Sequence, residues 1–105
     1  MVHEDDIVKF AMALPEVETR EEKGYRLFLR GETIFAAVEL GKEPLRVQVR
    51  CDRRLAKTLR ERYESVMESR ALGRNGIEII CSGQLSGEEV LDLVRHGYEQ
   101  AGEKE

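Results

Sequence analysis

At 105 residues, 41% of them hydrophobic and 36% charged, the chain supports one compact domain with a single modest core. No apolar run approaches the roughly 20 residues that span a bilayer. The chain begins with an acidic helical pattern in place of a secretory signal, so a cytoplasmic location is expected.

Asp5 to Leu14 places Ile7, Phe10, Ala11 and Leu14 on one helical face, and Pro15 ends the helix. Glu16 to Glu22 is polar and reads as an exposed connector. Lys23 to Cys51 then reads as a three-stranded antiparallel meander. Tyr25–Arg30 and Thr33–Leu40 flank Gly31-Glu32, a two-residue connection suited to a type II′ turn. That turn sets Leu29 opposite Ile34, Leu27 opposite Ala36 and Tyr25 opposite Val38 on one face. On the other face it sets Phe28 opposite Phe35, Arg30 opposite Thr33 and Arg26 opposite Ala37. After a turn at Gly41–Pro44, Leu45, Val47, Val49 and Cys51 alternate with Arg46, Gln48 and Arg50. The expected sheet has an aliphatic face under helices and an outer face presenting Arg26, Arg30, Arg46 and Arg50 around Phe28 and Phe35.

Asp52 is a suitable N-cap for a second helix, roughly Arg53 to Met67, buried along Leu55, Ala56, Leu59, Tyr63 and Val66. Arg53 and Arg54 sit in its first turn, where the macrodipole disfavours cations. With Arg50, Lys57 and Arg60 they extend the basic face, although Lys57–Glu61 and Arg60–Glu64 also have the spacing of ordinary i,i+4 pairs. Ser69 to Gly76, with Arg70 and Arg74, reads as a loop turning at Asn75-Gly76, followed by a short strand Ile77–Cys81. The last helix opens with a capping box, Ser86 and Glu89, and a staple of Leu85 on Val90. Gly97 within it costs about 1 kcal/mol relative to Ala, which suggests a close contact at that point.

Charge is unevenly distributed. Residues 1–25 carry net −4, residues 26–74 carry twelve basic and seven acidic groups for net +5, and residues 75–105 carry net −5. A positive field can therefore exist locally on a chain whose total is −4. Alternatively, these charges simply solvate opposite faces of a small domain. Cys51 and Cys81 fall at the ends of predicted strands among apolar residues and read as reduced and buried, with a disulfide or metal pair as the lesser alternative.

No catalytic residue stands out. His3 and His96 have no Ser, Cys or carboxylate at a recognised spacing, and Walker, dinucleotide, HExxH and CxxC motifs are absent. The expectation is a protein that is not an enzyme, with no metal site and no cofactor.

Several segments together resemble the MmcQ/YjbR family of small bacterial proteins. They are Ala13–Thr19, Phe28 through Gly31 to Phe35-Ala36, Val49–Asp52 leading into Leu59–Tyr63, and Ser82–Leu85 followed by the helix ending in Gly97-Tyr98. The resemblance covers about residues 5–101. It implies a two-layer α+β fold of the α-β-β-β-α-β(β)-α kind, an antiparallel sheet of four to five strands with three helices on one face, similar to type III secretion chaperones. The family is commonly labelled DNA-binding. Its members typically carry a His/Met/Asn/Lys segment and a tryptophan before the penultimate strand; here that stretch is Arg70 to Gly76, and the chain has no tryptophan.

Two functions follow as expectations. As a DNA-binding module, the chain would contact phosphates through Arg26, Arg30, Arg46, Arg50, Arg53, Arg54, Lys57, Arg70 and Arg74, with Phe28 and Phe35 stacking on bases of single strands. As a protein-interaction or chaperone-like module, it would cover the same Phe28/Phe35 face with a partner or a second copy.

Overall fold

The computed structural model describes residues 2–102. Along the chain run α1 (Glu4–Met12), β1 (Val17–Glu22), β2 (Tyr25–Arg30), β3 (Thr33–Glu39), β4 (Arg46–Arg50), α2 (Arg53–Arg62), β5 (Val66–Ser69), β6 (Gly73–Ile80) and α3 (Gly87–Gly102). The strands form one antiparallel sheet in the order β1-β2-β3-β4-β6-β5. All three helices bury residues in one cluster on one sheet face: Ile7 and Ala11 from α1, Ala56 from α2, and Val90, Val94 and Ala101 from α3. The α+β class is as expected, but the sheet has six strands.

The two additional strands come from segments expected to be connector, helix or loop. β1 carries almost only polar residues, so no alternation marks it. It forms because Lys23 and Gly24, both at positive φ (53° and 84°), make a turn that folds it back on β2. Its charged side chains also blunt an exposed sheet edge. α2 stops at Arg62, with Tyr63 already extended (φ −125°, ψ 127°), and Val66 pairs with Ile79 as part of β5. Asn75-Gly76 lies within β6; a Cβ at Gly76 would meet the Val49 carbonyl at 2.6 Å, so that glycine permits a close strand contact.

The β2–β3 register begins as expected, with Arg30 opposite Thr33 and Leu29 opposite Ile34. Phe35 then bulges out of the ladder, and the remaining pairs slip by one: Phe28 with Ala36, Leu27 with Ala37, Arg26 with Val38 and Tyr25 with Glu39. Phe35 and Ala36 consequently both enter the helix-covered core. α3 is built as its sequence indicates. Ser86 N–H donates to Glu89 Oε1 at 2.7 Å, and Glu89 N–H donates to Ser86 Oγ at 3.1 Å. Gly97 lets the helix lie on the sheet, since a Cβ there would come within 2.6 Å of the Phe35 carbonyl oxygen.

Candidate nucleic-acid interface

The expected arginine–phenylalanine face does not form, because β2 and β4 turn their arginines to opposite sides of the sheet. Phe28 and Phe35 are fully buried beneath the helices, with ring centroids 6.4 Å apart, and Tyr98 of α3 packs edge-on to Phe35 at 5.4 Å. Neither ring can stack on a base or meet a partner. The opposite face carries Leu27, Leu29 and Ala37, which form their own small cluster with Tyr25 and Ile34. Both faces of β2 carry apolar residues, and the bulge at Phe35 shifts Ala36 and Val38 of β3 to the helix-covered side beside Phe28.

The strand arginines are structural. Arg26 bonds Glu21 at 2.8 Å and lies 3.9 Å from Glu4, linking β2, β1 and α1. Arg30 donates to the Tyr98 carbonyl at 2.9 Å and stacks 4.2 Å over the Tyr98 ring. It thereby places a cation near the carbonyl end of α3, where the helix dipole favours one. Gly102 leaves the space its guanidinium occupies.

On the opposite face, Arg46 pairs with the fully buried Glu78 at 3.1 Å, and Arg50 donates to the Ile34 carbonyl at 2.9 Å. Burial pulls the Arg50 guanidinium below its ordinary value. Gln48, opposite Glu78 in the ladder, is also fully buried and accepts from Ser69 Oγ at 2.6 Å, which ties the β5–β6 turn to this face. Tyr25 is raised from its ordinary value by burial and then by Glu39 and Glu78, with Arg70 opposing, so exposed Arg70 belongs to this side as well. Arg26, Arg30, Arg46 and Arg50 are therefore each committed within the fold, and the two phenylalanines are core.

The remaining residues behave differently. Arg53, Arg54 and Lys57 are exposed on α2, Arg60 is half-buried beside them, and Arg74 is exposed on β6. Among the described residues, none of the five has a carboxylate within 4.0 Å; the expected Lys57–Glu61 and Arg60–Glu64 pairs do not form. Arg53, Lys57 and Arg60 follow one another along a single flank of α2. With Ala56, Glu68 of β5 and Arg74 of β6 they line a groove of about 240 Å³. Helical periodicity alone puts Arg53, Lys57 and Arg60 on one flank, a signal present in the sequence; Glu68 joins them only because β5 exists.

Asp52 supports this arrangement by accepting from Leu55 N–H at 3.1 Å as the N-cap. Its own N–H donates to His96 Nε2 at 3.3 Å, which links the start of α2 to α3. Burial, reinforced by Asp52 and opposed by Arg60, pushes the adjacent Cys51 thiol up to about 11, and burial alone does the same for Cys81. Both cysteines are free and buried, and neither joins the basic groove.

Sheet order separates the charges. β1 and α1, which hold Glu18, Glu21, Glu22, Glu4, Asp5 and Asp6, lie at one end, and α2 packs on β5 and β6 at the other. Six strands at ~4.8 Å spacing put the two edges roughly 24 Å apart, about three Debye lengths at physiological salt. The acids of α1 and β1 thus do little to cancel the field at the basic end, where Asp52, Glu61, Glu64 and Glu68 are the nearer carboxylates in sequence and sheet order.

The α+β architecture, a six-stranded antiparallel sheet with three helices, closely matches that of two solved structures. The crystal structure of protein DR2400 from Deinococcus radiodurans, which has a DUF419 domain, matches with a TM-score of 0.86 at 18% identity, over 95% of this chain and 78% of that one. A protein from Pseudomonas syringae matches with a TM-score of 0.75 at 11% identity, over 95% of this chain and 99% of that one. At these identities the likeness establishes the fold alone. No family model and no curated protein matches the sequence.

Proposed function

We propose that this chain is a DNA-binding module of the MmcQ/YjbR group, without enzymatic activity of its own, and that it contacts phosphates through α2 and the β5–β6 hairpin. The observation behind this reading is a division among its cations. All four arginines of β2 and β4 are held by groups of the fold, whereas Arg53, Arg54, Lys57, Arg60 and Arg74 have no carboxylate within 4.0 Å among the described residues, and all but Arg54 line one groove. Holding Arg53 and Arg54 in the first turn of α2 opposes the macrodipole by about 0.3–1 kcal/mol each, a cost that an external anion would offset.

The order and spacing of the motifs quoted above, together with the DUF419-type fold, support the family reading. A partner docked on a hydrophobic face finds less support, since Met12, at 42% exposure, is the exposed large hydrophobic side chain among the described residues. Contacts of this kind position a duplex without reading its sequence, so binding should be salt-sensitive and only weakly sequence-selective.

The test is fluorescence anisotropy with labelled duplex and single-stranded DNA at low and physiological salt. Salt-sensitive binding weakened by Arg53→Ala, Lys57→Ala and Arg60→Ala is the expected result. Absence of binding at low salt, or binding indifferent to all three substitutions, would refute the proposal.

A further inference from the structure

The shape of the basic surface says which phosphate it suits. Its cations converge across a groove: Arg53, Lys57 and Arg60 along α2 form one wall, and Arg74 on β6 comes from the other side. From Arg53 to Arg60 the helix rises only ~10 Å. A groove of about 240 Å³ is too small to take a duplex, whose continuous backbone would ride on its rims.

The lining includes no aromatic side chain, so the groove lacks the platforms on which single-stranded bases stack. The fitting ligand is narrow, projects from its parent molecule and carries dense negative charge. Four cations opposed by one carboxylate, Glu68, exceed what a single backbone diester would neutralise. A phosphomonoester, at about −1.5 to −2 near neutral pH with several acceptor oxygens, matches them better and can take bidentate arginine contacts.

We infer that the α2/β6 groove is a phosphomonoester site, and that in the nucleic-acid reading above, on which this step rests, it receives the terminal phosphate of a strand. Arg74 is the wall opposite α2 and therefore the residue that distinguishes an end from a passing backbone. Glu68 limits affinity and restricts the site to ligands bearing more than one negative charge. A strand terminus and a free phosphorylated small molecule offer the same group to this groove; the parent molecule distinguishes them.

The experiment follows amide and guanidinium chemical shifts of the isotope-labelled chain during titration with inorganic phosphate, with a terminally phosphorylated short strand, and with the same strand ending in a hydroxyl. Inorganic phosphate should shift Arg53, Lys57, Arg60 and Arg74, and the phosphorylated strand should bind about tenfold more tightly than its hydroxyl counterpart, equivalent to ~1.4 kcal/mol. Arg74→Ala should abolish that preference. Glu68→Gln should tighten phosphate binding, an effect of opposite sign to anything misfolding would produce.

Equal binding of the two strands would overturn the phosphomonoester site while leaving the nucleic-acid reading standing. Groove shifts with inorganic phosphate, but binding of neither strand, would do the reverse and point to a small phosphorylated ligand. Glu68→Gln without effect, or no shift with phosphate at all, would overturn the site.

Discussion

Replacing Lys57 with alanine separates a phosphate-binding ridge from an ordinary solvated helix. The side chain is exposed and unpaired, so its loss leaves the fold intact and removes one positive charge from the groove. If a duplex backbone riding on the rims of the groove, without entering it, gives Arg53, Arg54, Lys57, Arg60 and Arg74 one phosphate each, the logarithm of the binding constant should fall against the logarithm of salt with a slope of about −4.5. A fourfold rise in salt would then weaken binding ~500-fold.

Lys57→Ala should reduce that slope to about −3.6, and Lys57→Ala combined with Arg53→Ala to about −2.7. The control is Arg50→Lys, which keeps the charge of a guanidinium held by the Ile34 carbonyl on the sheet's other face; it should leave the slope unchanged. The assay is fluorescence anisotropy of a labelled duplex across a salt series, with circular dichroism to verify folding. A Lys57→Ala slope equal to that of the parent protein, or an equal reduction in Arg50→Lys, would show that α2 is not the contact surface.

Three further outcomes test the fold that positions this surface. Phe28→Ala should lower stability by about 3–5 kcal/mol in urea unfolding, as for a fully buried ring, and should leave DNA affinity unchanged under conditions where the variant is folded. A large affinity loss with little destabilisation would return Phe28 to the binding surface. Gly97→Ala, favourable by about 1 kcal/mol in an isolated helix, should instead destabilise, because the new methyl meets the Phe35 and Arg50 carbonyls at 2.6 and 3.0 Å; a raised melting temperature would contradict that packing.

The cysteine thiols, raised from 9.0 to about 11, bind protons in the folded chain that the unfolded chain releases. Their contribution to stability is therefore present below pH 9 and lost as pH rises through about 11. Urea unfolding across this range should show the decline, and Cys51→Ala combined with Cys81→Ala should lessen it; an unchanged profile would contradict thiol burial.

What the sequence determined by itself was local. The capping box of Ser86 and Glu89 closes within one helical turn, and it forms as written. The alternation of Val47 and Val49 with Arg46, Gln48 and Arg50 assigns β4 correctly, because only one of its faces is apolar. Arg53, Lys57 and Arg60 share a flank of α2 by helical spacing alone. These features depend on neighbours a few residues apart, so the linear pattern contains them.

What only the tertiary structure decided was which side of β2 and β3 meets the helices. Leu27 and Leu29 are as apolar as Phe28, so a period of two marks a strand there without marking its inward face. The bulge at Phe35 adds Ala36 and Val38 to the face that carries both rings, and the arginines of β2 and β4 part company across the sheet. β1 and β5 were equally illegible, since charged VETREE and the short VMES become strands through the partners they pair with. The same long-range pairing brings Glu68 and Arg74 to α2 and turns a basic helix flank into a groove. Hydrophobic burial and strand pairing act between residues far apart in the chain, and they determined which of its cations remained free.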